Sequence, residues 1–283
     1  MSNSSILKSS IAKKYWMALT GLFLCLFLVG HLLGNLQLIF STGEEGKRAF
    51  NEYAYFMTHF LPIKILSYLT YISIIFHAVD GFILTIQNRR ARPIKYAVNN
   101  PGPTSSTPAR YMAVLGTLIL VFLATHMSNF WWKVHFSEEI PLHTFKIESK
   151  KETGMPKDQL FYFTHVPSIQ PIPKDSNSLE EKGTEIYFKN TNIKIADGYM
   201  DLHKVVMTYF SKSNPNGVFA VLFYVLSMLV LGFHLWHGFA SSFQSLGVSH
   251  PKWTPLISSF GKLFAVAVPL LFAIIPMIIY LTN

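Results

Sequence analysis

Four histidines, His31, His77, His126 and His234, each lie about two-thirds of the way along a different long apolar stretch. An ionisable side chain inside a membrane span is costly to keep there, and its default reading is functional. Successive spans run in opposite directions, so this placement alternates between the two sides of the bilayer. His31 and His126 share one depth, and His77 and His234 share the other. At a rise of ~1.5 Å per residue, His31 lies roughly 24 Å beyond Tyr15 and His126 roughly 24 Å beyond Arg110, both towards the same face. Two imidazoles level with each other on facing helices form the axial ligand set of a b-type haem, and the chain offers two such sets. A lone imidazole in a membrane can instead hydrogen-bond a neighbouring helix or line a polar cavity. The matched depths separate these four from that reading.

Small residues accompany three of them. Gly34 follows His31 by three positions, and Gly81 and Gly238 follow His77 and His234 by four, each on the histidine's own helical face, where a flat macrocycle would lie. Glycine also serves close helix packing, and Phe130 stands in the corresponding place after His126. His237 follows His234 by three residues and shares its face. Only one of them can be axial. Depth relative to His77 favours His234 and leaves His237 the secondary candidate, free to bond a propionate or a neighbouring helix.

The elements that must carry these residues are membrane helices. Of the 283 residues 50% are hydrophobic and 14% charged, far from the balance of a soluble domain. Spans of the required ~20 residues are expected at Tyr15 to Phe40, Pro62 to Gln87, Arg110 to Trp132, Gly217 to Gln244 and Leu256 to Leu281. The expected fold is an all-α, five-helix transmembrane bundle, a single membrane domain over 1–283 whose first span is retained and not cleaved as a signal peptide. The long loop 133–216 joins the third and fourth spans as an extracytoplasmic insertion.

Charge sets the orientation. Lys8, Lys13, Lys14, Arg89, Arg90, Arg92, Lys95, Arg110, Lys252 and Lys262 fall on the amino-terminal side, whose loops hold no acidic residue. That side is expected to face the cytoplasm, giving a multi-pass membrane protein with a cytoplasmic amino terminus. The net charge of +9 is therefore topological, and nucleic acid is excluded as a partner. The cluster Arg89, Arg90, Arg92 and Lys95 either pairs haem propionates or simply obeys the inside-positive bias.

Cys25 is the only cysteine and lies within the first span, and no C-x-x-C-H sequence is present. Disulfides, thiolate metal sites and covalent haem attachment are thereby excluded. The first external loop, Ser41 to Leu61, holds a helix-like stretch from Gly46 to His59 with interfacial aromatics. The loop Asn88 to Ala109 reads as irregular. Lys133 to Asn216 shows little sustained periodicity, and is either a partner-contacting segment or an uncommitted surface excursion. Asp201 to Phe210 reads as a short amphipathic helix returning the chain to the membrane.

The order of GHLLGN in the first span, HAVDG then NRRARP in the second, THMSNFWWKVHF in the third and GFHLWHG in the fourth resembles the membrane cytochrome b subunit of succinate dehydrogenase and fumarate reductase. The likeness is to the single-subunit, five-helix, two-haem type found in bacteria, and it covers all the spans. The resemblance implies a distal haem, near the outside, on His31 and His126, and a proximal haem on His77 and His234. It implies an iron–sulfur subunit and a flavoprotein on the cytoplasmic face, the latter carrying the dicarboxylate chemistry. It also implies a respiratory-chain and tricarboxylic-acid-cycle role, a quinone partner, namely menaquinone near the distal haem, and a complex that can dimerise. Glu52 and His59, beside the start of the second span, are the groups available to exchange protons with the quinone; each also reads as an ordinary interfacial polar residue. Some fumarate reductases of this type have a glutamate two residues before the fourth-span ligand. Here that position is Gly232, so the likeness does not extend to proton transfer by that route.

Two rival readings remain at the level of sequence. One is the cytochrome b subunit of a membrane-bound hydrogenase or formate dehydrogenase. The other is a haem-free transporter whose histidines bind substrate or relay protons, although the broken helices and repeats of such proteins are not visible.

Overall fold

The structure is a computed structural model and describes residues 9–91, 94, 106–136, 140–146, 159–166 and 171–283. Lys8, Arg92, Lys95 and most of the loop 88–109 lie outside the described residues. Among the described residues, five helical segments are long and apolar enough to cross a membrane, as expected. They are α1 (Ser10–Phe40), α3 (Leu61–Arg90), α5 (Met112–His126), α8 (Gly217–Ser245) and α9 (Trp253–Thr282). The third span continues from α5 through a π-helical turn, Met127–Trp131, into α6 (Trp132–Phe136). Shorter helices are α2 (Gly43–His59), α4 (Thr107–Arg110) and α7 (Leu202–Phe210).

Local chemistry explains where these helices begin. The Ser9 hydroxyl accepts from the backbone N–H of Ile11 and Ala12, satisfying donors that the first turn of α1 leaves free. Pro62 stands in the first turn of α3, where a missing N–H costs nothing. In α2, Glu44 and Glu45 occupy the first turn and His59 the last, matching the helix dipole.

The spans pack around α1, α8 and α9, with Leu32, Val221, Tyr224, Val268, Ile275 and Ile279 at the centre. Leu26, Ile75, Phe233 and Leu263 project outward, exposed on faces that lipid would cover. Lipid is as apolar as these side chains, so close van der Waals fit must hold the helices together. Gly232 shows how close. Pro269 of α9 has no N–H for the Ala265 carbonyl, four residues earlier. A Cβ at Gly232 would lie 3.1 Å from that same oxygen. The α8 backbone thus covers the carbonyl that the proline leaves unpaired, and a glutamate could not be accommodated there without moving α9.

The insertion departs from the all-α expectation. Its described residues form five short strands, β1 (Thr144–Lys146), β2 (Leu160–Tyr162), β3 (Leu179–Lys182), β4 (Glu185–Phe188) and β5 (Lys194–Asp197). β1 and β2 form an antiparallel pair and β3, β4 and β5 an antiparallel meander. Leu142, Tyr162, Ile172 and Ile186 form a small core of their own. Strands of three or four residues are too short to display an alternating pattern, and for this reason they escape a reading based on periodicity.

A buried polar lock ties this insertion to α2. The Lys47 ammonium lies 3.0 Å from Asp201 Oδ2 and donates to the Thr144 carbonyl. Asn51 Nδ2 donates to Asp201 Oδ1 at 3.0 Å and lies 3.3 Å from His143 Nδ1, while Asn51 Oδ1 accepts from the His203 N–H. Asp201 also caps α7 by accepting from the Lys204 N–H. Asn51, His143 and Asp201 are each 1% exposed, so these bonds have no water to replace them.

Burial, aided by the Lys47 ammonium and opposed by Asp201, pushes the His143 imidazole down to about 4. A value below that of a free imidazole, ~6.5, means that the released segment binds the proton more tightly than the locked one. The lock is at full strength above ~6.5 and weakens as pH falls towards the folded value. Limited proteolysis of the insertion should accelerate through that window, and His143→Gln should flatten the dependence. A cleavage rate independent of pH in the wild type would contradict this role.

Candidate functional site

α1 and α5 bring His31 and His126 together with ring centres 5.9 Å apart and planes at 86°. α3 and α8 do the same for His77 and His234, at 6.1 Å and 67°. Imidazoles that hold one metal from opposite sides, through nitrogens ~2 Å from it, have ring centres about 6 Å apart. Both pairs therefore have the separation of axial ligands.

The pairs occupy two levels of the bundle. Thr20, which touches His77, is about 16 Å along α1 from His31. Gly116, where a Cβ would lie 3.7 Å from His234 Cε1, is about 15 Å along α5 from His126. One pair sits towards the α2 and insertion end and the other towards the end carrying Lys13, Arg89, Arg90, Arg110 and Lys252.

Hydrogen bonds fall on Nδ1. That of His77 donates to the Met17 carbonyl at 3.2 Å and lies 3.3 Å from the Thr20 hydroxyl. That of His126 lies 3.3 Å from the Tyr224 hydroxyl. A ring that donates from Nδ1 presents an unprotonated Nε2, the form in which histidine binds metal, and the outer partner fixes its orientation. His31 is held differently. Asn35 Nδ2 donates to its carbonyl at 2.8 Å and stands 3.5 Å from its Nδ1, at the limit of a hydrogen bond. Among the described residues His234 Nδ1 is buried without a partner, so packing orients that ring.

Among the described residues, no group of three or more His, Cys, Asp or Glu side chains is placed to hold a metal ion. A bare transition metal wants about four protein or water ligands. Two facing imidazoles in an apolar bundle instead fit an iron that brings its own four in-plane nitrogens in a porphyrin. The donor set therefore fits haem.

Of the other residues singled out by sequence, the structure pairs His234 with His77, and His237 stands half-buried one turn on. Glu52 bonds Arg48 at 3.1 Å. His59 stacks on Tyr55 at 3.9 Å, and its Nδ1 donates to the Tyr55 carbonyl. Tyr55 in turn meets His165 and Tyr199 of the insertion, so Glu52 and His59 lie on the insertion-facing side of α2 and do not approach His31. Gly81 and Gly238 each face a methionine methyl, of Met17 and Met112, while the space beside Gly34 is filled by Tyr53.

Several contributors were not evident from sequence. Tyr224 reaches His126 from a helix distant in the chain. The π turn begins at Met127, directly after His126. Such turns add a residue and re-aim the side chains beyond it; here Asn129 donates to the Tyr209 hydroxyl and Trp131 Nε1 to the Tyr71 hydroxyl, both at 2.7 Å. Gly21 faces His77, with a Cβ there 3.1 Å from the ring. One signal was within reach: Phe27 and Phe122 each precede a histidine by four residues and stack on it, at 5.4 and 5.6 Å. The other two histidines lack that neighbour.

Comparison with protein-family models, with curated proteins and with solved structures finds no match for this chain. The site must therefore be judged on its geometry.

Replacing His126 with alanine should remove one of two non-covalent haems and retain much of the other, scored by haem content per chain. Retention of both would refute the His31–His126 assignment. His234→Ala should remove the second haem and His237→Ala should not; the reverse would move the ligand to His237.

Proposed function

We propose that this chain is the membrane-anchor, electron-transfer subunit of a succinate:quinone oxidoreductase, passing electrons between an iron–sulfur partner and menaquinone. The observation that carries the reading is the presence of two facing histidine pairs at axial-ligand separation, one towards each end of one bundle. The ordered span motifs that resemble the succinate dehydrogenase and fumarate reductase anchors supply the choice of partner.

In this reading His31 and His126 hold the distal b haem and His77 and His234 the proximal one. A haem at each pair supplies a one-electron carrier. Everything else falls to the chain's own residues. The Met17 carbonyl fixes the tautomer of His77 and, with Thr20, its direction, and Tyr224 fixes the direction of His126. The apolar faces of the spans keep water from both pairs.

The end with Lys13, Arg89, Arg90 and Lys252 lies in the cytoplasm, by the inside-positive rule, and receives the iron–sulfur and flavoprotein subunits. The insertion then stands outside, above the distal pair. Glu52 and His59, on α2 at that end, exchange protons between water and the quinone. The membrane is the bacterial cytoplasmic membrane.

Purification of the tagged chain from its native membranes tests this directly. A co-purifying flavoprotein with covalent flavin, an iron–sulfur subunit and succinate-driven reduction of a naphthoquinone are expected. A partner containing nickel or molybdenum would replace this reading with a hydrogenase or formate dehydrogenase anchor. Absence of any b-type optical signal would replace it with a haem-free transporter. In the complex, Glu52→Gln should slow quinone turnover with haem content intact; unchanged kinetics would remove Glu52 from proton exchange.

A further inference from the structure

Tyr53 projects from α2 on a different side from Glu52 and His59. Its neighbour in sequence, Glu52, is ~100° away around the helix and turns to Arg48 and the insertion. Tyr53 instead crosses to α1, where its Cε1 and hydroxyl oxygen each lie 2.8 Å from the point a Gly34 Cβ would occupy. Gly34 is one helical turn beyond His31, about 4.5 Å along the axis. Tyr53 therefore places a phenol against α1 one helical turn from His31.

That hydroxyl is uncommitted. Among the described residues it has no hydrogen-bond partner, and the side chain is half-buried. Asn35, the polar residue one turn past His31, is already engaged by the His31 carbonyl. Asn51, half a turn earlier on α2, is held in the polar lock. Burial pushes the Tyr53 phenol up from its ordinary value, so it stays protonated and is a donor throughout the physiological range. Packing into the glycine notch alone would need only the ring, and phenylalanine would supply it. A half-buried phenol with its hydroxyl free, one turn from His31, is available to an acceptor that enters from outside the chain.

Resting on the quinone reading above, we propose that the Tyr53 hydroxyl donates a hydrogen bond to a carbonyl oxygen of the quinone, positioning its ring at the insertion end beside Gly34 and the His31–His126 pair. Tyr53 is a binding residue, and Gly34 is the notch that lets it reach. Glu52 and His59, on the water side of the same helix, serve proton exchange and not ring recognition.

Equilibrium binding of a short-chain naphthoquinone to the purified, oxidised complex tests the assignment without turnover. Tyr53→Phe should weaken binding by roughly 3- to 10-fold, the loss of one net hydrogen bond, and raise KM in step. Haem content and both haem midpoint potentials should stay as in the wild type. Gly34→Ala, which displaces the phenol tip, should weaken binding in the same direction. Unchanged binding in Tyr53→Phe would overturn the proposal. So would a shifted midpoint of one haem with naphthoquinone binding unchanged, which would assign the hydroxyl to a haem propionate. A wild-type complex that carries haem yet binds no naphthoquinone would strike the quinone reading itself, and this assignment with it.

Discussion

The arrangement of this chain turns on bringing imidazoles together, edge to face, inside an apolar bundle. Each histidine brings polar nitrogens into a medium that offers no water to satisfy them. Helix crossing solves half of the problem by bringing the rings to 5.9 and 6.1 Å, and outer hydrogen bonds solve much of the rest. The two pairs are not solved alike. A backbone carbonyl and a threonine hold His77, a tyrosine hydroxyl holds His126, and packing orients His234. Partners of this kind set ligand basicity and with it the electronics of a bound iron. The pairs are therefore chemically distinct sites.

The same constraint shapes the backbone around them. The His77 ring fits closely because glycine at 21 removes a side chain where it projects, while Gly116 stands in ordinary contact with His234. The π turn after His126 re-aims Asn129 and Trp131 onto Tyr209 and Tyr71, tying the third span to α7 and α3 where the distal pair sits. α2 then works in two directions. Towards the insertion it offers Lys47, Asn51, Glu52 and Tyr55, and towards α1 it offers Tyr53. It thereby contacts both the insertion and α1, at the end of the bundle where His31 and His126 meet.

Legibility from the residues alone divides along physical lines. Spans are legible because lipid demands long, nearly uninterrupted apolar helices, and all five fall within a few residues of expectation. Histidine depth is legible because helical rise converts sequence position into height. α2 and the short helix ending at Phe210 are legible from amphipathic spacing. The strands of the insertion are not, because three or four residues carry no measurable alternation. The π turn leaves no pattern in the residues around Met127. Tyr224 and Tyr53 escape because their importance lies in contacts between helices far apart in the chain. Position beside the start of the second span makes Glu52 and His59 candidates, but only the helical phase of α2 shows that Glu52 turns towards Arg48 and the insertion and Tyr53 towards α1.

The central claim is that the two pairs each clasp an iron porphyrin. Its most direct test is the haem stoichiometry of the purified wild-type chain, combined with a reduced-minus-oxidised optical spectrum. Two non-covalent b-type haems per chain, both low-spin with nitrogen axial ligands on both sides, are predicted. A preparation that folds and inserts into membranes but carries no haem, or only one, would contradict the account.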